Sequence, residues 1–158
     1  MLKASAQRVQ SVLTQFGHPD AVLELQETAH SAEDAARAIG CGVGQIVKSL
    51  VFQGQSSGQA FLLLVSGQDR VDLNKAAQAV HEPLKRADAN WVKDRTGYAI
   101  GGVPPIGHSS PLTTVMDPDL WQYSLVWAAA GHPFAVFPIT PDHLQSMTKA
   151  LVHDIHLA

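Results

Sequence analysis

The sequence is poor in cysteine, in charged residues and in long apolar runs. Its single cysteine, Cys41, cannot form an internal disulfide. Charged residues make up only 16% of the 158 residues and apolar residues 46%, so the composition excludes an intrinsically disordered chain. The nearly apolar stretches, such as Ile46 to Phe52, are far shorter than the ~20 residues that a membrane helix needs. The first residues lack the apolar core of a signal peptide. We therefore expect a cytoplasmic protein with one domain over residues 1–158 and no membrane partner.

Familiar metal and redox motifs are also missing. The sequence contains no His-Glu-x-x-His and no Cys-x-x-Cys, so zinc proteolysis and dithiol redox chemistry lack their usual residues. His30, His108 and His132 lie near predicted loops, but their spacing matches no metal site. Cys41 stands between two glycines and is best interpreted as a small buried residue. We expect neither a metal ion nor a cofactor.

Positive charge is scarce overall but unevenly distributed. The chain has 11 Lys and Arg against 14 Asp and Glu, a net charge of −3, which excludes a broadly basic surface for nucleic acid. The segment from Arg70 to Arg95, however, contains six basic and four acidic residues, a local net charge of +2. The usual interpretation of such a segment is a pair of solvated helices with mixed charges. The charge is therefore distributed asymmetrically along the chain.

Apolar spacing and capping residues predict an alternation of helices and strands. Helices are expected over Val9–Phe16, over Ser31–Ile39, after Asp72, after Asp88, and from Thr140-Pro141 to about Leu151. Strands are expected at Ala21–Leu25, Ile46–Phe52, Ala60–Val65, Thr113–Met116, Ser124–Ala129 and Phe134–Phe137, with the second and third forming a hairpin. This order predicts a single domain of mixed α/β (α+β) class.

Two features could carry chemistry. Lys48 lies in the middle of an apolar strand and shares its face with Ile46, Leu50 and Phe52. An ammonium group there must extend to solvent along apolar neighbours or face a polar cavity, where it could bind a phosphate or polarise a carbonyl. The second feature is the loop from Gly101 to His108. Its adjacent glycines, Gly101-Gly102, allow the backbone to approach a ligand closely, and its adjacent prolines, Pro104-Pro105, fix the shape of the loop. An ordinary tight connection is the alternative interpretation of this loop.

These segments, taken in order, resemble the YbaK/prolyl-tRNA synthetase-associated domain family. The resemblance rests on the helix Ser31–Ile39, the strand with Lys48, the loop from Thr96 to His108 with its Gly-x-x-x-Pro motif at Gly101–Pro105, and the segment Trp127–His132. It covers the chain from about residue 20 onward. It implies a barrel-like mixed β-sheet surrounded by helices, and hydrolysis of the ester that links a wrong amino acid to tRNA. With 158 residues and no synthetase motifs, the chain resembles the freestanding members.

The resemblance also implies roles for particular residues. Lys48 would hold the terminal adenosine's phosphate or the aminoacyl carbonyl, and the N–H groups of Gly101 and Gly102 would orient the ester and stabilise charge on its oxygen. The implied substrate-binding residues are Ser31, Ser49, Val103, Pro105, His108, Ala130 and Gly131. Ala129-Ala130-Gly131 replaces a Ser-Gly-Gly stretch of the YbaK branch, which counts against that branch's cysteinyl specificity.

The implied partner is the aminoacylated acceptor end of tRNA, together with prolyl-tRNA synthetase or another synthetase. The implied substrate is a small amino acid such as Ala, Cys, Ser or Thr on a non-cognate tRNA such as tRNA-Pro. Two alternatives stay open: a non-catalytic module that binds aminoacyl-tRNA or a synthetase, and a hydrolase of small acyl esters unrelated to tRNA.

Overall fold

A computed structural model describes residues 1–26 and 31–158. The helices are α1 (Ala4–Gln15), α2 (Ala32–Ile39), α3 (Leu73–Val80), α4 (Ala89–Thr96) and α5 (Pro141–Thr148), with short 3-10 helices at Val43–Gln45 and Pro118–Gln122. The strands are β1 (Leu23–Glu24), β2 (Val47–Gly54), β3 (Ala60–Ser66), β4 (Leu84–Arg86), β5 (Thr113–Met116), β6 (Val126–Ala129), β7 (Ala135–Ile139) and β8 (Leu151–Val152). The predicted mixed α/β class is confirmed.

Side-chain caps begin four of the five helices where the sequence places them. Ser31, Asp72, Asp88 and Thr140 each accept a hydrogen bond from a backbone N–H group two or three residues further along. Such caps satisfy N–H groups that the helix itself leaves unpaired. The α2 cap fixes the start of that helix beside the cavity described below.

The strands form two sheets. The larger one has the order β4-β2-β3-β5-β8, and the smaller one has the order β1-β7-β6. Strands β2 and β3 pair as the predicted antiparallel hairpin, with Lys48 opposite Val65. Every residue of β3 is buried, because α3 covers one face of the large sheet and the main core covers the other. The two sheets remain separate ladders, so the expected barrel-like sheet is not a closed barrel.

Strand β2 joins the two sheets and leaves a gap between them. On the edge of β2 that faces away from β3, the residues from Phe52 to Gly54 pair with β4. At the other end of the same edge, Ile46 forms an isolated parallel bridge with Trp127 of β6. Within the described residues, positions 47–51 have no strand partner on this edge. The gap opens one edge of the half-buried strand β2 to a ligand.

Short elements differ most from the sequence-based expectations. Strand β1 has two residues instead of five, and α5 ends at Thr148 rather than near Leu151. Lys149 follows in a left-handed conformation, and Leu151 then pairs with Val115 of β5, so long-range pairing ends the helix early. None of the helices in the described part of the chain has both the length and the apolar character needed to cross a bilayer.

Candidate active site

A cavity of about 680 Å³ occupies the gap beside β2. Its walls come from β2, the start of α2, the end of β4, and β6 with the β6–β7 connection. The loop from Gly101 to His108, called the glycine loop below, completes them. Five of the ten predicted site residues line it: Ser31, Lys48, Ser49, Gly101 and Val103. A volume of this order lies within the usual range of small-molecule pockets.

The Lys48 side chain is half-buried, and its amine is already anchored. The Nζ atom donates a hydrogen bond to the backbone carbonyl of Asp69, in the turn that follows β3. Burial lowers the pKa of Lys48, and the nearby charge of Asp69 opposes this effect. The cavity wall thus holds a partly desolvated amine in a fixed position, which strengthens its interaction with a carbonyl or phosphate oxygen.

Ser49 follows Lys48 and lines the same cavity. Its Oγ atom is buried and has no hydrogen-bond partner among the described residues. An unpaired buried hydroxyl costs free energy, so a ligand that pairs with it gains affinity. Both residues line the cavity although strand geometry sends their side chains to opposite faces, because the open edge of β2 exposes both faces.

The glycine loop contributes Gly101 and Val103 to the cavity wall. Gly101 adopts a left-handed conformation with φ of 91°, which favours glycine. The N–H of Gly102 donates to the carbonyl of Ala99 at 3.0 Å, and the carbonyl of Gly102 accepts from the N–H of Gly131 at 3.0 Å. Gly102 therefore holds the loop against the β6–β7 connection, and its N–H is engaged in the loop turn rather than directed at the cavity.

The remaining predicted site residues lie behind the cavity wall. Pro105 is buried within the loop, and Ala130 is fully buried in the main core. Gly131 packs so closely on α1 that an added Cβ would be 2.5 Å from the carbonyl oxygen of Ser5. His108 bonds through Nε2 to the carbonyl of Pro104 at 2.6 Å, and burial lowers the pKa of its ring. A carbonyl oxygen can only accept, so Nε2 donates in this contact and ties His108 to the Pro104-Pro105 turn.

Most of the lining residues were not predicted as site residues from the sequence, and four of these stand out. Trp127 and Ala129 project from β6 into the cavity, while their neighbours Val126 and Ala128 are fully buried in the core. Alternation along this strand is the signal that could have selected Ala129 instead of Ala130. Arg86 from β4 adds a second cation to the wall, and Phe134 adds an aromatic ring.

One serine motif in the sequence has a purely structural setting. Residues 54–58 spell Gly-x-Ser-x-Gly, the pattern of the nucleophile elbow in serine hydrolases. Such an elbow requires a strand followed by a helix, whereas these residues form the turn of the β2–β3 hairpin. They are not among the cavity residues, so Ser56 is not placed to attack a ligand there.

The histidines near loops have separate surroundings. The Nε2 atom of His132 lies 2.6 Å from an oxygen of Glu24, a contact that ties β1 to the β6–β7 connection. The pKa of Glu24 is lowered first by the backbone N–H of Lys3 and then by His132. His30 lies outside the described residues.

Comparison with known proteins gives consistent matches. Residues 26–147 match the family model of the aminoacyl-tRNA editing domain. The uncharacterized protein YwhH of Bacillus subtilis is 28% identical over 94% of both chains. EbsC of Enterococcus faecalis, described as a proposed Cys-tRNA(Pro)/Cys-tRNA(Cys) deacylase, is 30% identical over 79% of this chain and 76% of its own. A crystal structure of a proposed trans-editing enzyme for prolyl-tRNA synthetase is 48% identical, covers both chains fully and superposes with a TM-score of 0.95.

Proposed function

The chain belongs to the aminoacyl-tRNA editing domain family, and on that premise we propose that it removes a small, wrongly attached amino acid from tRNA at the cavity beside β2. The activity is that of an aminoacyl-tRNA deacylase acting in trans and related to prolyl-tRNA synthetase editing. The observation that carries the proposal is the presence of Lys48, Ser49 and Gly101 around one cavity.

The reaction is the hydrolysis of an ester. A water oxygen attacks the aminoacyl carbonyl carbon, negative charge forms on the carbonyl oxygen, and the bond to the ribose oxygen then breaks. The ribose oxygen takes a proton, and the products are a free amino acid and tRNA with a free terminal hydroxyl group. The neighbouring ribose hydroxyl of the substrate positions the water, so the protein needs neither a metal ion nor a covalent nucleophile.

Lys48 and Gly101 hold the reacting group in this proposal. The Lys48 amine is anchored on Asp69, and we assign its positive charge to the carbonyl or phosphate oxygen of the substrate. Within the described residues, the Gly101 N–H donates to no backbone oxygen, so we assign the second donor to Gly101. Gly102, whose N–H bonds to Ala99, acts by fixing the loop. Such fixed donors stabilise developing charge without rearranging during the reaction.

The remainder of the wall suits a small aminoacyl group. Ala129, Val103 and Trp127 offer apolar contacts, and the Ser49 hydroxyl offers a hydrogen bond. A synthetase pocket rejects an amino acid that lacks one methylene by only ~1–3 kcal/mol, so a second site that admits the smaller residue improves accuracy. We therefore assign the substrate to Ala, Cys, Ser or Thr on a non-cognate tRNA such as tRNA-Pro.

The partner in this proposal is the acceptor end of tRNA in the cytoplasm, with prolyl-tRNA synthetase as the source of the mischarged tRNA. Arg86 lines the cavity and places a second positive charge there, to which we assign a backbone phosphate. Because the net charge is −3, we assign few phosphate contacts and a recognition that depends mainly on the aminoacyl group.

The test is deacylation of a panel of mischarged tRNAs by the wild type and by Lys48→Ala. We expect hydrolysis of at least one small aminoacyl ester and a loss of about 100-fold in Lys48→Ala, the effect of removing one fixed donor of positive charge. Lys149→Asn removes a lysine outside the cavity and keeps a residue that tolerates the left-handed conformation found there. It should retain wild-type activity.

Three outcomes would overturn the proposal. Binding of tRNA with no hydrolysis of any ester in the panel would favour a binding module. Equal activity on a minimal acyl ester and on the full tRNA would favour a hydrolase unrelated to tRNA. Full activity in Lys48→Ala would remove the role assigned to this residue.

A further inference from the structure

A second cluster of ionisable groups lies behind the Lys48 anchor and is centred on Asp117. This side chain follows β5 and is fully buried. Its Oδ2 atom accepts hydrogen bonds from the N–H of Ile155 and from Nδ1 of His156, both at 2.8 Å, and its Oδ1 atom accepts from the N–H of Asp119 at 2.8 Å. A buried carboxylate requires partners of this kind. Asp117 therefore binds residues 155–156 to the end of β5.

His156 places its ring among the carboxylates of this cluster. Besides Asp117, its ring contacts the carboxylate of Asp119 at 3.3 Å and that of Asp154 at 3.1 Å. The hydrogen bond from Asp117 is the largest cause that raises the pKa of His156, and the charges of Asp119 and Asp154 add to it. Lys75 of α3 faces the same segment, where it donates to Asp154 and to the carbonyl of His156. A protonated His156 offsets the repulsion among these carboxylates.

The segment 155–157 also holds the turn at Asp69, whose carbonyl anchors the Lys48 amine. The N–H of Leu157 donates to the carbonyl of Arg70 at 2.8 Å, and the N–H of Asp72 donates to the carbonyl of Ile155 at 2.8 Å. These bonds flank an antiparallel bridge between Val71 and His156. The segment 155–157 thus lies directly against residues 70–72, which follow the Asp69 carbonyl.

Asp69 also contacts the cluster through its side chain. One oxygen each of Asp69, Asp117 and Asp119 and one ring nitrogen of His156 all lie within 4.8 Å of one another. Burial raises the pKa of Asp69 first, the neighbouring Asp119 raises it further, and the charge of His156 opposes both effects. His156 is therefore connected to Asp69 in two ways, through backbone hydrogen bonds and through charge. The carbonyl of Asp69 accepts the hydrogen bond from the Lys48 amine.

We propose that His156 is a positioning residue for the deacylation reaction: its contacts with Asp117 and Asp119 hold the Asp69 turn, and with it the Lys48 amine, at the cavity wall. The inference rests on the proposed function for its catalytic meaning, but the contact itself can be tested without substrate. Without the ring's positive charge, Asp69, Asp117 and Asp119 repel one another, the Asp69 turn shifts, and the amine loses its fixed position.

The experiment measures the reactivity of the Lys48 amine in the intact, unliganded protein. Each variant is treated with a limiting amount of acetic anhydride, and peptide mass spectrometry compares acetylation of Lys48 with that of Lys149. In His156→Gln we expect the Lys48 rate to change by about 2- to 30-fold, the range for coupling through a side-chain network, with Lys149 unchanged. His153→Gln is the matched control, because His153 lies in the same segment and its ring bonds to the carbonyl of Asp154 rather than to a carboxylate.

The wild-type to variant ratio of deacylation rates supplies the second measurement. We expect this ratio to be largest where the His156 ring is charged and to shrink as pH rises through its pKa. The rates are measured where both proteins are fully folded, so that the pH-dependent difference in stability does not contribute. An unchanged Lys48 reactivity in a folded His156→Gln variant overturns the proposal. If that variant does not fold, Asp119→Asn takes its place. This change removes the carboxylate that contacts the His156 ring at 3.3 Å, and the same criterion applies.

The two proposals fail in different ways. A changed Lys48 reactivity with an unchanged deacylation rate overturns the role of His156 in the reaction. If the wild type hydrolyses no ester, the proposed function fails, while the acetylation rates still report whether His156 controls the amine.

Discussion

The Cα atom of Gly102 lies against the backbone of His132, so closely that a Cβ atom on Gly102 would be 2.4 Å from the Cα atom of His132. The carbonyl of Gly102 accepts a hydrogen bond from Gly131 at 3.0 Å, so the two segments cannot separate without losing it. Both segments border the cavity through Gly101 and Pro133. Glycine at position 102 is thus a condition for bringing these two walls together.

The first prediction follows from this contact. Gly102→Ala should destabilise the protein by ~1–3 kcal/mol or more, the cost of overpacking, because the obstructing atoms are backbone atoms. Urea unfolding measures the change. Gly42→Ala is the matched control, since a Cβ there meets only the Gln45 side chain at 3.8 Å and φ is −76°. Equal unfolding midpoints for Gly102→Ala and the wild type would contradict the packing argument.

Ser49 should affect stability and substrate binding in opposite directions. Because its buried hydroxyl has no partner among the described residues, Ser49→Ala should leave stability unchanged or raise it by about 1 kcal/mol while increasing KM. Ser66→Ala is the contrasting variant, since that buried hydroxyl donates to the carbonyl of Gly44 at 2.7 Å, and its loss should cost ~1 kcal/mol. Urea unfolding and deacylation kinetics measure both effects. A destabilised Ser49→Ala with an unchanged KM would refute this prediction.

His156 should make stability depend on pH. Its folded-state pKa is raised above the ordinary value of 6.5, so the folded state binds the proton more tightly than the unfolded state. The contribution of its charge is therefore complete below the unfolded pKa and is lost as pH rises through the folded pKa. The difference in unfolding free energy between the wild type and His156→Gln should shrink over that window. Urea midpoints at a series of pH values measure this difference, and a gap that is constant with pH would exclude it.

Trp127 should report occupancy of the cavity. Trp127 is half-buried and lines the cavity, whereas Trp121 is more exposed and donates to Asp142 at 2.7 Å outside it. A non-hydrolysable analogue of aminoacyl-adenosine should change the tryptophan emission of the wild type and of Trp121→Phe. Trp127→Phe should abolish most of this change. A signal that persists in Trp127→Phe would place the ligand elsewhere.

Binding of tRNA should depend on salt only moderately. A protein that neutralises few phosphates shows a shallow dependence of log K on log salt, with a slope of about −0.7 to −0.9 for each phosphate. Arg86→Ala should reduce the slope by about one, the effect of losing a single phosphate contact. Lys149→Asn should leave it unchanged. A steep wild-type slope that indicates many released ions would argue for a broad basic interface instead.

The sequence predicts the starts of the capped helices well and the short strands poorly. Capping by Ser31, Asp72 and Asp88 is a local effect, and these helices begin where expected. Strands β4 and β8 have three and two residues, too few for a periodic pattern, and they form because longer neighbours pair with them. Local pattern therefore decides the first group, and tertiary pairing decides the second.

The cavity cannot be predicted from local sequence patterns, because it depends on how distant strands pair. Lys48 could be singled out because a charge in an apolar strand is costly. That Lys48 and Ser49 line one cavity follows from the gap between β4 and β6, which no local pattern encodes. The role of His156 was likewise hidden, because its partner Asp117 lies 39 residues away in the sequence.

The gap beside β2 has a consequence for how specificity can change. Along positions 47–51 a ligand would stand where a neighbouring strand stands in a continuous sheet, and it would meet main-chain N–H and C=O groups held in register by β3. Main-chain groups are the same whatever the side chains are. Mutation can therefore reshape the apolar walls to admit a different acyl group while the backbone anchor is retained, which makes this site well suited to evolving new substrate preferences.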